Sequence, residues 1–294
     1  MDRMCQLAGI SRATFYREYS RKDRPAADQD VRDAIQKICL AHRRYGYRRV
    51  DRELRKDGYA VHAKKVLRMM REDNLLAIRR KAFRKPPASA TTAAFPNLLL
   101  HLEAKGPDQV WVADITYIRR QKEFVYLAVI LDRYTRRVVG WKLDRQMDVG
   151  LTLDALSQAV ATRRPAPGLI HHSDRGVQYA CQSYCRALAE AKMLGSMSAP
   201  GWPWDNAVCE SFMATLKKEE IYCREYATLE ELRASLEEFI DRYYNQIRLH
   251  STLGYLSPED FERRHPSPTP PPGFYGTEGK GLQAPAPSPD PLPR

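Results

Sequence analysis

Between residues 30 and 74 the apolar side chains recur every three or four positions. They fall at Val31, Ala34, Ile35 and Ile38 and again at Val61, Val66, Leu67 and Met70, while arginines and lysines crowd the other faces. That period predicts three amphipathic helices, about Asp30 to Arg44, Tyr47 to Lys56 and His62 to Asn74. From Val110 the pattern changes. The run VWVADITYI, Val110 to Ile118, is rich in β-branched and aromatic residues and predicts a strand. Further strands are expected over Glu123 to Leu131, Arg137 to Leu143, Gly168 to His172 and Leu194 to Met197, with helices over Val149 to Ala161, Cys181 to Lys192, about 205–219 and Leu229 to Tyr244. Three strands on short connections predict an antiparallel meander, and the later alternation with helices predicts parallel additions, so this region is an α/β fold. In 205–219, Val208, Phe212 and Leu216 repeat every four residues and form one buried face. Asn206, Glu210 and Lys217 share a polar face pointing away from it.

The two ends carry weaker patterns. Met4 to Arg17 reads as a short helix, a turn at Gly9 and a second helix capped by Ser11, the latter part of a helix-turn-helix that presents Arg12 and Arg17. Residues 77–108 read as a basic linker, flexible enough to let the following domain reach DNA held elsewhere. Beyond Arg264 the chain holds half of its 20 prolines and few apolar anchors, so 265–294 is expected to be a disordered tail. The division expected is therefore a partial helix-turn-helix at 1–20, a basic all-α module at 30–76, the linker, an α/β core at 109–264 and the tail.

Charge separates these parts. Residues 1–109 hold 25 Lys and Arg against 13 Asp and Glu, whereas the remainder holds 23 of each. The whole excess of +12 lies ahead of the α/β core. Such a segment fits a polyanion, with nucleic acid the leading partner. The cluster Arg43, Arg44, Tyr45, Gly46, Tyr47, Arg48, Arg49 interleaves basic and aromatic residues in a way that suits a phosphate backbone. A membrane is not expected, since no apolar run approaches the roughly 20 residues that spanning needs and no signal-peptide pattern opens the chain. The six cysteines make no paired ligand sets and read as buried free thiols in a reducing cytoplasm.

Three carboxylates stand in distinct settings: Asp114 within a strand, Asp174 at the end of another and Glu210 on a helix. Oxygen-only ligands of this kind suit a hard divalent cation, and two such ions about 4 Å apart serve phosphoryl transfer. Asp132, just past the second strand, is the nearest competing acid. His171 and His172 alternate across a strand, one expected to be packed and one near the acids.

The three blocks WVADIT (111–116), HSDRGVQY (172–179) and DNAVCESF (205–212) resemble the catalytic blocks of the DDE transposases with a retroviral-integrase-like core. Thirty-five residues separate Asp174 from Glu210, the spacing of that family's signature, and Lys217 matches its lysine seven residues past the glutamate. Within it the chain is similar to the insertion-sequence-three group, downstream reading frame product, over roughly 1–261. The Tyr-Gly-Tyr-Arg-Arg core at 45–49 resembles that group's second helix-turn-helix-like module. The segment 244–261 resembles its closing motif, with Leu249 where proline is common; its Asn245, Arg248 and His250 either touch DNA, Arg248 being the candidate contact, or brace the fold.

The resemblance implies a ribonuclease-H-like core and a transposase that cuts the ends of its mobile element and joins the 3′-hydroxyl to a new phosphodiester. Asp114, Asp174 and Glu210 would be both catalytic and metal-binding, holding two Mg²⁺ ions for which Mn²⁺ can substitute. Lys217, Asn206, Arg12, Arg17, Arg43, Arg44, Arg48, Arg49 and Arg248 would contact DNA. The implied partners are double-stranded DNA at the element ends and target, further copies of the chain on that DNA, and an upstream-frame DNA-binding protein by fusion or cooperation. The implied setting is a bacterial cytoplasm, at the nucleoid. A ribonuclease-H-type nuclease and a non-catalytic regulator derived from a transposase are the alternatives. Trp202 and Trp204 either stack on an unpaired base or simply pack.

Overall fold

The computed structural model describes residues 2–7, 9, 11–15, 26–77, 95–100, 102–120, 123–198 and 206–266. Arg17, Trp202, Trp204, most of the linker and nearly all of the tail lie outside them.

Five strands form one sheet: β1 (Val110–Arg120), β2 (Glu123–Asp132), β3 (Val138–Asp144), β4 (Ile170–Ser173) and β5 (Leu194–Met197), in the order β3-β2-β1-β4-β5. The first three are antiparallel, and β4 and β5 add in parallel. This is the mixed α/β arrangement that the resemblance to a ribonuclease-H-like core implies. The β3 to β4 crossover is α5 (Val149–Arg163), capped by Asp148, whose side chain accepts from Leu151 N at 3.0 Å.

Alternation along the strands divides the core in two. On one face Val110, Val112, Val125, Leu127 and Val129 pack with α8 (Ala207–Glu219), α9 (Leu229–Glu237) and the helix that continues it. On the other, Trp111, Ala113, Ala128 and Ile130 pack with α5 and α7 (Gln182–Glu190), the latter following a one-turn helix, α6 (Val177–Ala180). The helix expected over Leu229 to Tyr244 changes winding within that span. From Glu238 to Ile247 it is a π-helix, which lets the Asn245 amide both accept from Val138 N at 2.9 Å and donate to Val138 O at 3.0 Å.

The basic module is α2 (Ala26–Ala41), α3 (Tyr47–Lys56) and α4 (Ala63–Glu72), joined around Ile35, Val50, Leu54, Val66, Met69 and Met70. Ahead of it, α1 (Asp2–Leu7) is followed by Gly9 in the left-handed conformation, and Ser11 Oγ accepts from Thr14 N at 3.0 Å. α2 ends at Ala41 rather than Arg44 because the chain turns, Tyr45 N bonding to His42 O. The module is not loosely tethered. Leu249 and Tyr255 of the closing segment join its apolar cluster, and the Tyr45 hydroxyl accepts from Leu249 N at 2.9 Å.

The last part of the linker span also belongs to the core. Leu98 N donates to Ser196 Oγ at 2.9 Å, Met197 N to Pro96 O at 3.2 Å, and the Phe95 ring covers Gly195 so closely that a Cβ there would stand 2.7 Å from it. A final helix, α10 (Pro258–Arg264), is capped by Ser257 and opened by Pro258. Its Glu262 is held by Arg137 at 2.9 Å and by Arg163.

Candidate active site

The β1/β4 register places two of the acids. Its last pair is Ala113 with Ser173, so Asp114, within β1, and Asp174, just past the end of β4, each lie one residue further on along neighbouring strands. Strand neighbours lie about 4.8 Å apart. Asp114 is buried and Asp174 exposed. Each turns one oxygen onto a backbone amide: Asp114 Oδ1 accepts from Ile115 N at 2.8 Å, and Asp174 Oδ1 from Gly176 N at 2.9 Å.

Glu210 arrives on the first turn of α8, which is fastened to β1 just before Asp114. The Asn206 amide donates to Ala113 O at 3.4 Å, and the Cys209 thiol to Val112 O at 3.4 Å. Burial pushes that thiol's pKa well up, and Asp114, Asp174 and Glu210 each push it further. The Tyr179 hydroxyl is likewise raised, first by burial, then by Tyr184, then by Asp114 and Asp174. Sequence reasoning gave Cys209 no place at the site, although its position beside Glu210, one residue after Val208 on the packed face, was the available signal.

A hard, oxygen-only donor set fits a divalent cation. Among the described residues, however, no group of three or more His, Cys, Asp or Glu side chains is gathered closely enough to hold one. Asp114 and Asp174 each turn one oxygen to a backbone amide of their own strand or turn instead. Lys217 lies two turns along α8, with Nζ 4.7 Å from the centroid of the exposed Tyr117 ring of β1.

Several expectations need correction. Asn206 is not on an open polar face: it is 8% exposed and braces α8 against β1, with its Oδ1 buried and unpartnered. Arg248 is not a surface contact either. It is 4% exposed, and its guanidinium donates through Nε and Nη2 to the two carboxylate oxygens of Glu219, both at 2.7 Å. Arg49 turns inward over the Tyr45 ring, 5.4 Å from its centroid, and burial lowers its pKa. Arg44 reaches the Cys223 sulfur at 3.5 Å, while Arg12, Arg43 and Arg48 stay exposed or nearly so. Both histidines are packed: His171 Nε2 pairs with the Tyr184 hydroxyl at 3.0 Å, and His172 pairs with Ser196 at 2.8 Å and Ser198 at 3.0 Å. Asp132 is fully buried and organises the β2–β3 turn, accepting from the backbone amides of Asp108, Tyr134 and Thr135 and from the Thr135 hydroxyl. Of the six free cysteines only Cys5 and Cys209 are buried, and the other four are half-exposed.

Comparison with known proteins agrees with this architecture. Residues 104–203 match the integrase core domain family, residues 192–258 match a second integrase core domain family, and residues 26–83 match the HTH-like domain family. Together with the sheet, these define an integrase-type polynucleotidyl transferase with a helical module ahead of its core. Over 272 residues the chain is 37% identical to transposase InsF for insertion sequence IS3A of Escherichia coli (strain K12), covering 89% of this chain and 93% of that one. It is also 36% identical to the insertion element IS600 uncharacterized 31 kDa protein of Shigella sonnei, covering 89% and 98%. The chain belongs to the IS3 family of insertion-sequence transposases. Among solved structures, the HTLV-2 integrase catalytic core domain in complex with magnesium aligns with a TM-score of 0.43 at 15% identity, covering 54% of this chain and 99% of that one. The simian T-cell lymphotropic virus intasome in complex with PP2A regulatory subunit B56 gamma aligns with a TM-score of 0.45 at 14% identity, covering 81% and 76%. Among the described residues no helix is long and apolar enough to cross a membrane.

Proposed function

We propose that this transposase cuts double-stranded DNA at the ends of its own mobile element and joins the freed 3′-hydroxyl to a target phosphodiester, using Asp114, Asp174 and Glu210. The observation that supports this reading is the β1/β4 register, which sets Asp114 and Asp174 on neighbouring strands, together with the two bonds that fasten the first turn of α8, bearing Glu210, to β1 beside them. These residues would hold two Mg²⁺ ions, or Mn²⁺ in their place. When bound, such a pair supplies activation of the attacking oxygen and stabilisation of the leaving one. Asn206 and Cys209 act through position, pinning the first turn of α8 so that Glu210 faces the two aspartates. Lys217 contributes a fixed positive charge for a phosphate on the same helix, and Arg12, Arg43 and Arg48 contribute exposed ones on the N-terminal modules.

Because a mobile element has two ends, the acting species contains at least two copies. Cooperation with an upstream-frame DNA-binding protein, in the cytoplasm at the nucleoid, completes the reading. Incubating the chain with a labelled element-end duplex and Mg²⁺ is expected to give joined product. Asp174→Asn abolishes joining and leaves duplex binding intact; undiminished joining by this variant removes the site assignment.

A further inference from the structure

Arg48, Arg52 and Arg55 leave α3 on one side, four and three residues apart, opposite the buried Val50 and Leu54. With Asp51 and Tyr255 they line an open groove of about 350 Å³. All three arginines are exposed. Asp51, on the buried side, is engaged by Arg55, whose Nε donates to Oδ2 at 3.0 Å. The groove therefore presents three positive charges against one negative.

Its far wall comes from the other end of the chain. Tyr255 follows Gly254, and both adopt positive φ, +62° and +64° respectively. A bulky aromatic in that region is strained and persists only where its surroundings hold it. Here Tyr255 N bonds to His250 O at 2.8 Å, and Leu256 pairs with His250 across the loop. The result is a ring set beneath Arg52, whose guanidinium lies 5.0 Å from the ring centroid. Stacking of this kind fixes a guanidinium plane while leaving its outer donors directed elsewhere.

We propose that this groove grips the sugar–phosphate backbone of one strand of duplex DNA, so that the helical module and the closing segment of the core hold the same stretch of DNA. The proposal rests on the transposase reading above and adds a site to it. Arg48 and Arg55 are separated by about 10 Å of helix rise, a length over which one strand of a duplex presents about three phosphates. Guanidinium groups engage phosphate oxygens in pairs, and such contacts fix register without choosing sequence. The connection from Tyr45 to Leu249 keeps the two walls in one arrangement.

The test is the salt dependence of duplex binding by the full chain, followed by fluorescence anisotropy with an element-end duplex and a scrambled one. Arg52→Ala is expected to lower the slope of log affinity against log salt by about 1, and the triple Arg48→Ala, Arg52→Ala, Arg55→Ala variant by about 3, equally on both duplexes. Arg263→Ala, on α10 and outside the groove lining, where the side chain pairs with Glu259 and Asp260, leaves the slope unchanged. Tyr255→Asn separates binding from folding: asparagine tolerates the left-handed conformation, so under conditions where circular dichroism shows the variant folded, affinity for both duplexes falls. A folded triple variant with the wild-type slope overturns the groove, as does a loss confined to the element-end sequence. If the wild-type chain joins DNA in either case, the transposase reading survives. If the wild-type chain neither binds nor joins DNA, both readings fall together.

Discussion

Arg248 and Glu219 form a two-pronged ion pair at the far end of α8, with both bonds at 2.7 Å and both side chains less than a tenth exposed. Glu219 ends the helix that Glu210 begins, so the pair ties the far end of α8 to the segment after the π-helix. Breaking a buried pair from one side strands the other charge. Arg248→Ala is therefore expected to cost about 3–5 kcal/mol in urea unfolding, whereas the double variant Arg248→Met, Glu219→Leu recovers most of that loss. Duplex affinity of the double variant stays at the wild-type level, and a loss matching that of a phosphate-contact arginine would restore Arg248 to the DNA surface.

Gly140 of β3 lies against α5 so closely that an added Cβ would stand 2.4 Å from Ala155 O and 2.8 Å from Ala159 Cβ. Backbone cannot move aside as a flexible side chain can. Gly140→Ala is expected to lose at least about 1–3 kcal/mol of stability, read from the urea midpoint. A neutral substitution would mean that the helix rides further from the sheet.

Acid should weaken the fold through its buried imidazoles. Burial and then the neighbouring His172 hold His171 down to about 3; burial and then Arg248 and Arg49 hold His250 down to about 2. Both lie below the unfolded value near 6.5, so their contribution is complete above that pH and is lost as pH falls, each by about 1.4 kcal/mol per unit. Asp132 works the other way. Burial raises it to about 6, so below that pH the folded state binds a proton that the unfolded state takes only near 4, returning about 1.4 kcal/mol per unit. Urea midpoints measured from about pH 7.5 to 5 should fall steeply just below 6.5 and less steeply below 6. A flat profile would contradict the neutral, buried state of these histidines.

Chelation separates chemistry from grip. EDTA is expected to abolish joining, with activity restored by Mg²⁺ or Mn²⁺, while duplex binding measured alongside changes little, because the arginines that carry it need no cation. Loss of duplex binding on chelation would instead assign the cation to DNA capture.

Periodicity made most of the architecture legible. Strand alternation and the four-residue repeat of Val208, Phe212 and Leu216 fixed which faces are buried, and the meander followed from short connections. What spacing could not show is where a polar residue meets another element. Asn206 shares a helix face with Glu210, yet it sits where the first turn abuts the β1 carbonyls and is buried. Arg248 reads as a surface cation until Glu219, 29 residues away, is brought beside it. The helix Pro258–Arg264 went unread although Ser257 and Pro258 carry its start signal, because it has too few apolar positions to show a period. Of the groove arginines, Arg48 is legible in the basic-aromatic cluster, whereas Arg52 and Arg55 gain meaning only from Tyr255, some 200 residues on.

The segment ahead of β1 has a consequence for assembly. Pro96 and Leu98 bond along β5, while at the opposite margin the Asn245 amide takes both polar groups of Val138 and Gln158 Oε1 takes Trp141 N at 2.7 Å. Each border of the sheet is thus stitched to its own chain, which blunts it as a template for a foreign strand. A second copy would then have to pack against this one through side chains on helices and loops rather than by extending the sheet.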